Sequence, residues 1–449
     1  MKCYPVRVEL DGRWAGAKAN KPLPQGEWGM ITRGIYRIFL NMNSVRKIAC
    51  LLSLLVGMVS LTPAAQGEIE LFAQGQLPGN STDESGLTEM LRVGNERIPH
   101  NRMGGFSAIA YTGKEDLYWV LPDRGPLDGA ADYACRVQLI KISQPEAGQK
   151  LQIQLVATHL LKTENGEQLI GSAKAFDLAA PEKSLRFDCE GLRTGRSGHM
   201  YLSDEYGPHI YEFSTNGIRQ RSIPLPEKLM IQTPSADPLR ERAGNRTGRL
   251  PNGGMEGLAI APDGSTLFGM MQNPLSQDQG ENGRFLRLIA VPIGTGPQRE
   301  YAYKMEAPGL GISEILAVND HEFLCIERDG ASGTAATMKK IMKARLTSGK
   351  TKFTTDISDV AELPDKHLPD SIHPMKKFEF INLLDPKFGL AGASFPKKVE
   401  GLTFGPRLGG KISLIVCTDN DFQAMQPSRF FWFTLDQSDL PDFQPQQFD

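Results

Sequence analysis

From about residue 104 onward, short apolar runs broken by polar turns replace any helical period. The clearest instance follows Asn252-Gly253-Gly254-Met255-Glu256-Gly257, a glycine-rich corner carrying one carboxylate. Residues 258–261 form an apolar run, Pro262-Asp263-Gly264 turns the chain, and residues 266–271 form a second run. Two apolar runs joined by so short a turn predict a β-hairpin. The pattern recurs. Cys189-Glu190-Gly191-Leu192 leads to Met200-Tyr201-Leu202-Ser203-Asp204-Glu205, and Val399-Glu400-Gly401-Leu402 leads to residues 411–417 and then Thr418-Asp419-Asn420-Asp421. Looser copies begin at Gly105-Phe106-Ser107-Ala108 and Ile312-Ser313-Glu314-Ile315, and end at Asp123-Arg124 and Glu327-Arg328.

A self-similar unit decides the architecture before any other consideration. Setting Ser107, Glu190, Glu256, Glu314 and Glu400 in register gives spacings of 83, 66, 58 and 86 residues. These exceed the about 40–45 residues of a plain propeller blade, so extra strands or long loops decorate each unit. Alternation within residues 138–159 suits outer strands, whereas residues 337–346 read as either a helix or an outer strand. Residues 160–185, 225–251 and 364–394 read as long excursions. An early strand at residues 69–73 is expected to complete the last sheet, which ends at residues 429–435. Radial repetition protects the edges of such an all-β chain. The expected fold is therefore all-β: a single β-propeller of five or six blades with long inter-strand loops.

The first 67 residues read as lying outside that fold. Met42 opens a basic stretch through Arg46 and Lys47, an apolar run over residues 48–61, and small residues before Glu68. Those are the three regions of a secretory signal peptide, at residues 42–67, with residues 1–41 a spurious extension. A single N-terminal membrane anchor is the alternative, but the run falls short of the about 20 residues of a span. An exported product, periplasmic or extracellular, is expected over residues 68–449. Of the 50 Lys and Arg and the 52 Asp and Glu, nine and three fall in the leader, leaving 41 and 49 and a formal charge of −8. That acidic balance argues against nucleic acid as a partner. Cys135, Cys189, Cys325 and Cys417 fit no zinc spacing. Each lies in or beside an apolar stretch and reads as a small buried hydrophobe.

In a propeller, equivalent positions on inner strands meet around one axis. One glutamate would read as a tie to the neighbouring backbone, but repeated acids at one level repel and imply a cation. The first-strand candidates are Glu190, Glu256, Glu314 and Glu400; the second-strand ends add Asp123, Asp204, Glu205, Glu327 and Asp419. Oxygen donors without histidine or thiolate suit hard cations, calcium above magnesium. Arg124, Arg284 and Arg328 are candidates to hold an anionic substrate. Glu190, Glu205 and Glu256 are the candidate catalytic groups.

The order of these motifs resembles the phytase-like (esterase-like activity of phytase) domain family. It is carried by residues 104–109, 123–125, 189–192, 203–206, 252–259, 311–315 and 327–329. The resemblance, which is also to β-propeller phytases, implies an exported hydrolase of phosphate or other esters acting on a small anionic substrate with calcium. It carries family acids onto Asp123, Glu190, Asp204, Glu205, Glu256, Glu314 and Glu327, while Ser107 departs from the pattern. Two other readings stand beside it: a calcium-dependent lactonase or carboxylesterase, and a non-catalytic ligand-binding propeller with structural calcium. No Gly-x-Ser-x-Gly elbow occurs, which argues against a serine esterase of that type.

Overall fold

The computed structural model describes residues 68–449 except 145, 147–148, 181–182, 349–352 and 365–367. The expectations for residues 1–41 and 42–67 lie outside the described residues.

After β1 (Glu70–Leu77) and a small hairpin of β2 (Met90–Val93) and β3 (Glu96–Pro99), the chain builds five four-stranded antiparallel sheets. The first holds β4 (Phe106–Tyr111), β5 (Leu117–Pro122), β6 (Arg136–Ile142) and β7 (Ile153–Leu160). The second holds β8 (Cys189–Thr194), β9 (Met200–Asp204), β10 (His209–Phe213) and β11 (Arg219–Ile223). The third holds β12 (Met255–Ile260), β13 (Thr266–Met271), β14 (Phe285–Pro292) and β15 (Arg299–Lys304). The fourth holds β16 (Gly311–Ala317), β17 (Glu322–Arg328), β18 (Lys339–Arg345) and β19 (Lys376–Asn382). The fifth holds β20 (Lys398–Leu408), β21 (Lys411–Asp419) and β22 (Ser428–Leu435), with β1 paired against β22 as its outermost strand. The inner strands β4, β8, β12, β16 and β20 touch in that cyclic order, and β20 returns to β4. The protein is a five-bladed β-propeller whose ring is closed by its earliest strand.

Position within a blade explains each strand's composition. β8 and β12 are buried at every residue, because an inner strand packs on both faces. β7 and β11 alternate or face water, as half-covered outer strands do. Residues 339–345 take the strand alternative, not the helix. The excursion over residues 364–394 contains an unforeseen strand, β19, whose Lys-Lys-Phe-Glu-Phe alternation is mostly solvent-facing. Residues 224–254 contain a short helix, Pro238–Gly244, started by Asp237 accepting from the Leu239 and Arg240 amides and by Pro238 in its first turn.

Stability resides between the blades. Five apolar clusters each join one blade to the next, including Trp432 with Tyr118 across the closing seam. The four cysteines among the described residues, Cys135, Cys189, Cys325 and Cys417, are buried and unpaired, as small core residues. The C-terminal tail crosses the back of the ring. Phe443 packs on Phe404 at 4.5 Å, the Gln444 amide reaches Val318 O, the Gln447 amide reaches Pro262 O, and Asp449 pairs with Arg196. Phe448 meets Tyr111 edge-on, so the tail touches all five blades.

Trp432→Ala should cost about 3–5 kcal/mol, because its cavity opens in the seam that closes the ring. Denaturant unfolding with the slope held unchanged would measure this, and a loss under about 1 kcal/mol would show that the seam is not a principal source of stability.

Candidate functional site

Every inner strand carries a β-bulge at the same level. The pairing slips between Phe106 and Ala108, Cys189 and Leu192, Met255 and Gly257, Ile312 and Glu314, and Val399 and Gly401. The equivalent bulged residues are therefore Ser107, Glu190, Glu256, Ser313 and Glu400. Register thus corrects the alignment by residue type: Ser313, not Glu314, occupies the ring position. A shift of one residue moves a side chain to the other face of a strand. Glu314 stands where the other blades have Ala108, Gly191, Gly257 and Gly401. Those sites are tight; a Cβ on Gly257 would lie 2.9 Å from the Ile315 amide nitrogen. Glu314 instead accepts from the Leu258 and Ile315 amides at 3.1 and 2.9 Å and pairs with Arg193 at 3.0 Å. Arg193 also donates to carbonyls of Ile109, Leu192 and Ile315, filling the axis with a tie between blades.

Backbone pairing defines a second equivalent level at the ends of the second strands. Amides of Asp123, Glu205 and Gln272 donate to the carbonyls of Gly105, Asp188 and Gly254, and Arg328 and Asp419 pair with Gly311 and Lys398. Asp204 and Glu327 each precede this level by one residue and turn away. Asp204 accepts from the Asp188 and Tyr206 amides at 3.0 and 3.1 Å. Glu327 is saturated by Tyr303 Oη, Lys377 Nζ and the Glu306 amide.

Two carboxylate groups converge: Asp123, Asp188 and Glu190, and Glu190, Glu205 and Glu256, with one ligand atom from each lying within 4.8 Å of the others. Asp188 was not foreseen, because at its level the other units have Gly105, Gly254, Gly311 and Lys398 and no acidic repeat betrays it. Cations border the groups. Arg124 donates to Asp188, Asp128 and Asn252 and lies 3.7 Å from Glu205. Arg328 holds Glu400 at 2.6 Å, and Lys398 holds Asp419 and Asp421 at 2.7 and 2.8 Å. Arg284 lies elsewhere in the blade, half-buried just before β14, the third strand from the axis.

Residues 101–422 match the profile of the phytase-like family, described as esterase-like activity of phytase. The chain belongs to the phytase-like family. An uncharacterized secreted protein of Arthroderma benhamiae is 26% identical over 393 residues, covering 70% of this chain and 75% of its own. Among solved structures, the PQQ-bound aldose sugar dehydrogenase of Streptomyces coelicolor is similar at 12% identity, with 84% of this chain and 100% of that one covered and a TM-score of 0.34. An exo-β-1,3-galactanase of Phanerochaete chrysosporium is similar at 10% identity, with coverage of 82% and 65% and a TM-score of 0.39.

The acids of this phytase-like chain sit under strain of charge. Burial, then Glu256, Asp123, Asp188 and Glu205, push Glu190 well above the usual carboxylate range. Burial, then Glu205 and Glu400, do the same to Glu256. Burial raises Asp123 and Asp188 to about 7 despite nearby Lys398 and Arg124. Glu205 and Asp419 are raised by burial as well. Glu314 rises to about 8 because burial outweighs Arg193. Glu256 Oε2, Asp188 Oδ1 and Glu400 Oε2 are buried with no hydrogen-bond partner. Carboxylates gathered in threes, with such oxygens left unmatched beside them, fit a hard divalent cation, and an all-oxygen donor set fits calcium. Asp123, Asp188 and Glu190, or Glu190, Glu205 and Glu256, would hold it.

Without metal, a carboxyl whose folded pKa exceeds its unfolded value keeps a proton that the unfolded chain has released. Its stabilisation is complete below about pH 4 and is lost as pH rises through about 7. In a chelator, the thermal midpoint should therefore fall between about pH 5 and 8, and added calcium should restore it; a midpoint that rises over that range would contradict the assignment. Glu256→Gln should weaken calcium binding at least about tenfold, taking the lower end of losses at metal-site groups. Glu314→Gln should leave calcium binding unchanged, and calorimetric titration of both variants distinguishes the two levels.

Proposed function

We propose that this protein is an exported, metal-dependent hydrolase of a small anionic ester, most simply a phosphate ester. The convergence of Glu190, Glu205 and Glu256 on one point, with the Glu256 oxygen left unpartnered, is the observation that carries the reading. Family membership and the relative described as a secreted protein support it. A bound calcium supplies a lowered pKa for a coordinated water and offsets charge on the ester.

The chain's own residues account for the rest. Ionising Glu190 and Glu256 gives buried carboxylates, one of which accepts the proton of the attacking water. Glu205, anchored on the Gly254 amide at 3.0 Å, keeps its orientation through that transfer. Arg328 is partly open to solvent at the rim and is drawn by Glu400, Glu256, Asp419 and Glu190. Its guanidinium, held at Nε by Ser313 and at Nη2 by Glu400, would reach the anionic group of the ester with Nη1. Arg124, the other rim cation, is largely committed to Asp188 and serves to position it.

The purified chain should release phosphate from p-nitrophenyl phosphate or phytate in calcium and stop in EGTA. Glu190→Gln should lower kcat by about a hundredfold or more, the range for a lost proton acceptor. Turnover of p-nitrophenyl acetate or a lactone, with no phosphate ester cleaved, would replace this reading with the carboxylic ester one. Calcium-dependent stability without turnover of either class would make the protein a binding propeller.

A further inference from the structure

Away from the acidic mouth, a half-open groove of about 630 Å³ lies over the second blade. Its walls come from two long connections, the one between β7 and β8 and the one between β11 and β12. Its floor is formed by Tyr206, His209 and Tyr211. The volume is that of a small-molecule site.

Arg186 is the group that the fold leaves unexplained. Its guanidinium lies 4.8 Å from the ring centroids of both Phe176 and Tyr206, yet its Nη1 is buried with no hydrogen-bond partner. Among the described residues its side chain makes no hydrogen bond or ion pair. Arg124, Arg136, Arg193 and Arg249 also leave one buried guanidinium nitrogen unmatched, but their other nitrogens are engaged: Arg249 donates to Tyr206 O and Glu241, as Arg287 does to Asp278 and Glu300. The carboxylate facing Arg186 most directly is Asp204, already engaged by two backbone amides. The other cation of the groove, Arg219, is matched by Glu164 at 2.8 Å. A partly buried guanidinium with none of its nitrogens matched costs more than one with a single orphan, so a partner from outside the chain is expected.

The rings beside it add shape. The His209 imidazole makes no hydrogen bond among the described residues, burial lowers its pKa, and its ring lies 5.5 Å from that of Tyr211. Tyr206 divides this groove from the channel, its ring facing Arg124 at 5.6 Å on one side and Arg186 at 4.8 Å on the other. We propose that the groove is a second ligand site, for a small organic anion. Its carboxylate or phosphate lies on Arg186, and its flat or ring-shaped body lies against His209 and Tyr211.

The test is calorimetric titration of the whole chain, held in EGTA, with phenylphosphonate and with benzoate. Saturable binding of at least one probe is expected, and the tighter of the two identifies the head group as phosphate-like or carboxylate. Arg186→Gln should weaken it at least tenfold. Ser222→Trp, which fills the groove from an exposed position and keeps Arg186, should do the same and decides the matter if Arg186→Gln does not fold. Arg328→Gln should bind as the wild type does. No saturable binding of either probe, binding that survives both groove substitutions, or binding lost in Arg328→Gln would overturn the proposal. Because metal is absent throughout, the outcome is independent of whether the channel hydrolyses esters.

Discussion

Carboxylates brought face to face in a poorly polarisable interior are the constraint from which the rest of this molecule follows. At about 4 Å and an effective dielectric near 20, two full charges repel by about 4 kcal/mol. Glu190 belongs to both acidic groups and so feels that repulsion from two sides. The fold answers in part with Arg124, Arg328 and Lys398, each of which is committed to an acid at the edge of the groups and not at their centre. What remains is relieved either by protons, as the raised pKa values state, or by a metal ion. The two compete for the same oxygens, so metal uptake must release protons.

The bulges make this convergence possible. An unbroken inner strand would alternate strictly, and its successive side chains would point to the two neighbouring interfaces. A bulge leaves one residue without a partner, bends the strand and re-aims that side chain. Repeated at the same height in five strands, it sends Ser107, Glu190, Glu256, Ser313 and Glu400 to a single level. The asymmetry of that set matters as much as its repetition. Around the ring the order is Ser107, Glu190, Glu256, Ser313 and Glu400, so Glu190 and Glu256 are neighbours beside Asp123 and Asp188, and the two serines set Glu400 apart from them. Below them Arg193 and Glu314 stitch the inner strands together, and the C-terminal tail lies across the back, so the acids face solvent from one end.

The repeat was legible because inner strands combine two-sided burial with glycine corners, a pattern unlike that of their outer partners. Blade number stayed at five or six because strands scattered towards the two ends carry no repeat of their own, although the early strand was read as completing the last sheet and does so. β19 escaped notice since it opens on two lysines, one of them turned inward to Glu327, and Phe378 and Glu379 face water, leaving little regular apolar signal. In the site, Glu190, Glu205, Glu256 and Asp123 were readable from motif position alone. Glu314 was set one place off because the motif Ile-Ser-Glu-Ile offers a glutamate of the right type at the wrong register, and only strand pairing distinguishes the two. Asp204 and Glu327 illustrate the same parity: neighbours of inward-facing residues point outward. Asp188 had no repeat to announce it, and the groove around Arg186 is built from two loops far apart in sequence.

The pairing of β1 with β22 has a bearing on how the molecule is made. On the ribosome, or emerging from a translocon, β1 appears early and its partner only after four blades have been synthesised. Until then an edge with free amides and carbonyls waits in company with the uncovered flanks of blades one and four, a state open to pairing with other nascent chains. Blades added one at a time therefore yield no finished interface at that seam. The last step is an annealing of the two ends, and any holdase that attends this protein has its longest vigil over β1.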